Sequence, residues 1–521
     1  MHDVPSSSRT PLLMRAALRY LLPMALAGCA TGGPTPANQP TPSPVATGAA
    51  TTSRQTLRQY ADSLIDSPDF RSAHWGVLVV DPGRGETLYA RNADKLFMPA
   101  SNMKLLTGST AIAQLGLEYR WTTTLLARGP VRNGSLEGDL VVQGTGDPSI
   151  SSHMRGDALV PLRALADSLR AHGVTRIRGR VVAAPSPFAD SPLGYGWSWS
   201  DLDESYSAGV DALYFNEGFT EVVVHGGARA GDPVRVATRP ATTYPALILR
   251  ARTTAALDPS STAADSAVVR TGIQLAQDSS HTGVLVTGAI AAGDSAVVEI
   301  TFRDQTAAYL AAFREALRDR QITVDGAATD SSARETPLVA LQSPSLREVL
   351  PYFEKPSQNQ IGELLFKTLA LVKTGVGRAD SASQVVSRQL VAWGAAPDGF
   401  AVRDGSGLSR HDYVSPRTII HVLDAMHKSP DFRTFYDALP IAGVDGTIRN
   451  RMKGTTAQGN VHAKTGTLDK ARALSGYVTT ADGRLLLFSA LCNSYSVPTR
   501  RVDEVSDALG VYLSSLRVGA P

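Results

Sequence analysis

The sequence predicts an α/β protein of the α+β kind, a single mixed unit interrupted by a large, mostly β insertion. Three observations point there. Both ends of the chain mix strand-like and helical patterns, over residues 55–121 and again over 339–521. The stretch between them, 122–338, reads as short strands separated by Gly and Asn turns, with few helices and no repeat of fixed period. A length of 521 residues also exceeds what one core usually holds, so two or more packed units are expected.

Taken in order, residues 1–28 read as an export signal. Arg9, Arg15 and Arg19 precede an apolar stretch from Tyr20 to Ala27 that is too short to span a bilayer. The residues before Met14 are unlike the start of such a signal, so translation from Met14 is an alternative to Met1. Residues 29–54, rich in Pro, Thr, Ala and Gly, read as a tether that cannot bury a core. A helix is expected over Leu57–Leu64, then strands over Trp75–Asp81 and Glu86–Ala90 around Pro82-Gly83-Arg84-Gly85. A buried helix runs from Ser101 to a glycine cap at Gly116. Within the insertion, strands are expected near 123–127, 140–142, 221–224, 283–286 and 296–302, and helices near 162–172 and 306–320. Two subdomains are expected there, 122–188 with 278–338, and 189–277. Helices return at 346–353, 359–372 and 383–393, a hairpin at 471–493 turns on Asp482-Gly483, and a helix over 502–516 ends the chain.

Composition removes several classes. A hydrophobic share of 43% with 19% charged residues describes an ordinary globular chain. The net charge of +3 is spread out and gives no basic stripe for nucleic acid. Of the two cysteines, Cys29 lies in the segment read as processed, which leaves Cys492 in the run Leu485–Cys492 as a buried small hydrophobe. Neither a disulfide, a metal centre nor a cofactor is expected, because the ten histidines fall into no ligand spacing.

Three motifs carry chemistry. In Ser101-Asn102-Met103-Lys104, side chains three apart on a helix share a face, so the Lys104 amine can reach the Ser101 hydroxyl. A lysine with a depressed pKa can take that proton, and a serine at a helix N-terminus has a dipole favouring a developing oxyanion. Alone the motif is weak, since about one chance match is expected in a chain this long. In Ser357-Gln358-Asn359, Ser357 can pass a proton to a leaving group and Asn359 can hold a substrate amide; a plain helix cap is the other reading. Lys-Thr-Gly occurs twice. Lys373-Thr374-Gly375 ends an apolar helical run and reads as helix termination. Lys464-Thr465-Gly466-Thr467 leads into the hairpin, where an edge strand can offer a cation, a hydroxyl and backbone groups to a carboxylate.

The order of these motifs matches the signature shared by penicillin-binding proteins and class A β-lactamases. Ser101 and Ser357 lie 256 positions apart, much farther than in class A β-lactamases. From about Leu57 to Leu516 the chain resembles the class C low-molecular-mass penicillin-binding proteins, the D-alanyl-D-alanine carboxypeptidase/endopeptidase family (DacB-like). Further stretches carrying the resemblance are Gly144-Thr145-Gly146-Asp147-Pro148, Leu213-Tyr214-Phe215-Asn216-Glu217, Asp404-Gly405-Ser406-Gly407-Leu408-Ser409-Arg410 and Gly443-Val444-Asp445-Gly446-Thr447.

The resemblance implies a transpeptidase/β-lactamase-like α/β/α domain split by the insertion. It implies acylation of Ser101 by peptidoglycan stem peptides, with β-lactam antibiotics as covalent inhibitors. Backbone N–H groups of Ser101 and Thr467 would form the oxyanion hole, and Lys464 with Thr465 would hold the terminal carboxylate. Asp147 and Arg410 would contact the diaminopimelate side chain, and Asp404 would brace its loop. Leu26-Ala27-Gly28-Cys29 resembles a bacterial lipobox, which implies a lipid anchor on Cys29 outside the cytoplasm; an ordinary signal peptide is the alternative. Gln358 stands where class A β-lactamases have aspartate, and no glutamate can be assigned to deacylation, so a β-lactam adduct is expected to persist. Two other readings are a β-lactamase or D-aminopeptidase-like hydrolase, and a non-catalytic binding or sensing lipoprotein. Against the second, a pure binder has no need of Ser101 and Lys104.

Overall fold

The computed structural model describes residues 54–255, 272–278, 283–328 and 330–518. The signal segment, Cys29 and residues 30–53 of the expected tether lie outside the described residues. Arg54, assigned to the tether, opens the first helix, Arg54–Ile65.

A five-stranded antiparallel sheet joins the two ends of the chain. Its order is Glu86–Arg91, His74–Asp81, Leu485–Asn493, Ala471–Thr479, His462–Leu468. The central strand is the run of Leu, Phe and Ala that includes Cys492, buried along nearly its whole length because both faces are covered. The strand period of two separates the cores. Leu78, Leu487 and Leu491 face one side, beneath helices Met103–Leu115, Leu346–Glu354, Asn359–Thr374 and Pro416–His427. Val77, Val79, Leu486 and Phe488 face the other, against Arg54–Ile65 and Thr499–Ser515. The result is helices, sheet, helices.

The insertion leaves and rejoins this unit at adjacent points. Thr122 pairs with Gln342 in the antiparallel strands Thr122–Arg128 and Glu335–Gln342. Trp121 and Ser343 are also joined, with the Ser343 N–H donating to the Trp121 carbonyl over 2.9 Å. Such neighbouring ends let a long excursion be accommodated with little distortion of the parent unit. The expected exit at 338 therefore falls inside a strand, and the rejoining point is 342. A first core (Leu125, Val142, Leu165, Phe313, Leu317) packs helices Leu159–Ala171 and Gln305–Asp319 on that sheet.

The expected division of the insertion at 277/278 is corrected by the strand pairing. Ile273–Gln277 pairs with Gly283–Ala291, and Phe219–His225 pairs with Ser295–Thr301. Val222, Val224, Val284, Val286 and Ile300 share one core, so the second set of strands runs from 219 to 301. The turn-rich composition around 277 hides this, because the strands that close the core follow the turn.

Candidate active site

Ser101 stands in a short 3-10 turn, Ala100–Asn102, that feeds the helix Met103–Leu115. Three contacts seat this turn on the sheet. Met98 donates its N–H to Asn493 Oδ1 over 2.8 Å, and Asn102 donates to Ser475 Oγ over 2.7 Å. Gly466 approaches so closely that a Cβ there would lie 2.4 Å from the Pro99 carbonyl oxygen. The strand bearing Lys464 can lie beside the Ser101 turn only because that residue is glycine. Ala100 takes φ 48°, a left-handed conformation that a non-glycine residue adopts at a cost of about 1–3 kcal/mol.

Lys104 is completely buried. Its Nζ lies 2.8 Å from Ser101 Oγ, 2.6 Å from Asn359 Oδ1 and 2.8 Å from the Ser406 carbonyl oxygen. The last two partners can only accept, since Asn359 spends its Nδ2 on the Tyr206 carbonyl at 2.7 Å. Two amine hydrogens are thereby committed, and in the neutral amine the lone pair faces the serine hydroxyl. Burial first, and then the Lys464 cation, hold the Lys104 amine well below its ordinary pKa; Glu354, Asp404 and Glu363 pull the other way.

Ser357 borders the same cleft with φ 65°, a second non-glycine residue in the left-handed region. Gln358 caps the helix Asn359–Thr374, accepting from the Gln360 and Ile361 N–H groups at 2.6 and 3.2 Å. Its amide also donates to Glu217 over 3.0 Å. Burial alone would raise the Glu217 carboxyl, but bonds from His153, Ser151 and Gln358 outweigh it and hold the pKa below the usual value. Two of the sequence stretches meet here. The Gly146 N–H donates to the Ala212 carbonyl over 2.9 Å and the Asn216 N–H to that of Ile150 over 2.7 Å, which delivers Glu217 to the Ser-x-Asn turn.

Lys464 is buried on the edge strand His462–Leu468, and Thr465 donates to Thr447 Oγ1 over 2.7 Å. That contact accounts for the Gly443–Thr447 stretch, whose Asp445 also binds Lys355 at 2.6 Å. Desolvation lowers the Lys464 pKa to about 8, against the pull of Glu354. The other copy, Lys373-Thr374-Gly375, ends a helix with Gly375 at φ 80°.

Asp404 is a buried brace. It accepts from the Gly407 and Ser409 N–H groups at 2.7 Å each and from Trp197 Nε1 at 2.9 Å. Glu363 supports the same loop from below, accepting from the Gly405 and Ser406 N–H groups at 3.1 and 2.8 Å. The loop thus fixes the Ser406 carbonyl on Lys104.

A cleft of about 440 Å³ brings together Ser101, Ser357, Asn359, Thr467 and Arg410 with Asp201, Tyr206 and Leu408. Asp147 does not line it. Asp147 is buried in a turn of its own, accepting from the Ser149 N–H at 2.8 Å, and burial raises its pKa. Two carboxylates line its wall, Asp201 and Asp469, and the sequence alone singles out neither. Tyr206, on the same cleft, feels Asp201 and Arg410 oppositely: burial, Asp201 and Glu204 push its hydroxyl up to about 12, while Arg410 opposes. The signal available was the aromatic-rich run Trp197-Ser198-Trp199-Ser200-Asp201, which has no strand or helix period and therefore suits a segment shaped by what it packs on.

Among the described residues no group of His, Cys, Asp or Glu could hold a metal, and no helix is long and apolar enough to cross a membrane.

Comparison with known proteins follows the same lines. Residues 57–515 match the D-Ala-D-Ala carboxypeptidase 3 (S13) family. A D-alanyl-D-alanine carboxypeptidase of Actinomadura sp. (strain R39) is 34% identical over 476 residues, covering 88% of this chain and 84% of that protein. The D-alanyl-D-alanine carboxypeptidase DacB of Haemophilus influenzae is 27% identical over 436 residues, 81% of this chain and 85% of the relative. Among solved structures, penicillin binding protein 4 (dacB) from Haemophilus influenzae superposes with a TM-score of 0.72 at 24% identity, covering 87% of this chain and 99% of that one.

Proposed function

The chain belongs to the D-Ala-D-Ala carboxypeptidase 3 (S13) family of serine peptidases, and from that premise we propose that Ser101 is its nucleophile. The reaction is hydrolysis of D-alanyl-D-alanine termini, and of D,D-cross-links, in peptidoglycan stem peptides. The observation that carries this is the buried Lys104 amine, 2.8 Å from Ser101 Oγ with its other two contacts taken by acceptors.

The steps follow from the groups present. Lys464 and the Thr465 and Thr467 hydroxyls hold the substrate's terminal carboxylate. Lys104 takes the Ser101 proton as Oγ bonds to the penultimate D-alanine carbonyl carbon, and the oxyanion receives N–H donors from Ser101 and Thr467. Ser357, which lines the cleft with Ser101 and Asn359, relays the proton to the amine as the C–N bond breaks, and D-alanine leaves. Water then adds to the acyl carbon, the ester bond to Ser101 Oγ breaks with release of the shortened peptide, and Oγ takes up the proton that the water gives up. Asn359 holds both Lys104 and the substrate amide. Arg410 and Asp201 present opposite charges to the zwitterionic end of a diaminopimelate side chain, the role first expected of Asp147.

A β-lactam opens on Ser101 in the same way, and among the described residues no carboxylate hydrogen-bonds Ser101 or Lys104 to activate deacylating water, so the adduct is expected to persist. The Haemophilus influenzae protein has also been solved complexed with a β-lactam. The lipobox-like Leu26–Cys29 and the Pro-rich stretch after it support a site of action outside the cytoplasm, on a lipid anchor at Cys29. The test is release of D-alanine from a D-Ala-D-Ala pentapeptide. Wild type is expected to release it and Ser101→Ala to release none; equal rates would overturn the assignment.

A further inference from the structure

The Thr467 hydroxyl is held from behind by a chain of charges that the steps above do not use. Thr467 and Arg472 stand directly opposite each other on the paired strands His462–Leu468 and Ala471–Thr479, so their side chains are neighbours on one face. Arg472 donates from Nη1 to Thr467 Oγ1. The rest of its guanidinium is clamped by Asp503, which accepts from Nε over 3.1 Å and also from Nη2. A two-point clamp on a carboxylate fixes the plane of the guanidinium, and with it the direction of the third nitrogen.

Asp503 is fixed in turn. It and Asp507 lie one turn apart on the helix Thr499–Ser515. Arg451 bridges them, 3.3 Å from Asp503 Oδ1 and donating to Asp507 Oδ1 over 2.8 Å. The four side chains are only 15–24% exposed, so these pairs are screened less than pairs in open solvent. A clamp that merely stapled the helix to the sheet would use the Nε and Nη2 edge alone. Here Nη1 is left over, and it points to a hydroxyl on the cleft wall.

A hydroxyl has one hydrogen to give and two sites at which to accept. Thr467 Oγ1 accepts from a cation, so its hydrogen is left for an acceptor in the cleft, which Thr467 lines with Ser101. Thr465 differs, since its hydroxyl donates to Thr447 Oγ1. Arg472 does not itself line the cleft and acts at one remove. We propose that Arg472, clamped by Asp503, is a positioning residue for the substrate's terminal carboxylate: it fixes the Thr467 side chain and turns its hydroxyl hydrogen toward that carboxylate. The inference rests on the assignment of Ser101 and of the carboxylate seat at Lys464, Thr465 and Thr467 made above.

Its test is a double-mutant cycle on kcat/KM for D-alanine release from a D-Ala-D-Ala pentapeptide, with Thr467→Val, Arg472→Met and the two combined. Thr467→Val keeps the shape and the backbone N–H and loses the hydroxyl. Arg472→Met keeps the apolar stem and loses the donors. Each single change is expected to lower kcat/KM roughly 10-fold. The double variant is expected to lose no more than Thr467→Val alone, because an arginine that acts through the hydroxyl has nothing to hold once the hydroxyl is gone. A residue that only stapled the fold would cost the same factor with or without the hydroxyl. Additive losses, or either single variant as active as wild type, overturn the inference. If Arg472→Met fails to fold, Asp503→Asn loosens the clamp while Arg451 keeps Asp507, and its loss must likewise vanish in the Thr467→Val background. Benzylpenicillin is added to wild type alongside: no adduct there would fail the Ser101 assignment itself, whereas an adduct with additive losses fails only the role of Arg472.

Discussion

Lys104 has three close partners and one of them is the Ser101 hydroxyl, so truncating it should remove the proposed base while leaving Ser101 in place. Lys104→Ala is expected to slow acylation by a β-lactam by about 10²–10⁴-fold, measured by stopped-flow or quenched mass spectrometry; an unchanged rate would assign the base elsewhere. The two aspartates give a sharper contrast. Asp201→Asn is expected to lower kcat/KM roughly 10-fold or more for substrates with a free zwitterionic side chain, and to spare those whose side chain is blocked. Asp147→Asn, buried in its own turn, is expected to lower Tm with kinetic constants kept. At this scale the motif residues were readable because their chemistry demands fixed spacing on one element. Asp201 was not, since Arg410, which lines the same cleft, is 209 positions away and only the fold brings them to it. Glu354 left a fainter mark: it falls eight residues after Leu346, on the apolar stripe Leu346, Val349, Leu350, Phe353, where a charge is out of place.

The elements position these groups through close approaches that only glycine permits. Gly466→Ala puts a methyl group 2.4 Å from the Pro99 carbonyl oxygen, so the edge strand or the nucleophile turn must move. A loss of roughly 10²-fold in kcat/KM is expected with the fold retained by circular dichroism; full activity would mean that the two segments are farther apart than described. Most elements could be read from period and punctuation, as in the hairpin turning at Asp482-Gly483, where Gly483 has φ 83°. The helix Pro416–His427 was not identified, although Ser415 accepts from the Thr418 N–H as its cap and Pro416 opens it. The boundary at 277/278 failed for a different reason. Composition marks turns, but which strands share a core is a matter of pairing, and Ser295–Thr301 returns to pair with Phe219–His225 across 69 intervening residues.

Taken whole, the molecule is a split α/β unit whose insertion contributes to its own active site. Tyr206 supplies the carbonyl that orients Asn359, Trp197 bonds Asp404, and Glu217 holds Gln358. The split itself was legible, because the two ends share a pattern that the middle lacks. The insertion's reach into the cleft was not, because residues 189–208 carry no regular strand and are ordered by what they touch. The Pro-rich stretch after Cys29 belongs to this scale too, as the span between the enzyme and the proposed anchor. In the full chain, Cys29→Ala is expected to move the protein from the detergent to the aqueous phase on Triton X-114 partition; an unchanged partition would remove the anchor. For the site as a unit, the deciding measurement is intact mass after exposure to benzylpenicillin, with Ser101→Ala beside it. A persistent adduct equal to the whole β-lactam, on wild type alone, is the expected result. Destroyed drug with no adduct would indicate a β-lactamase, and intact drug with no adduct would contradict an acylating serine at position 101.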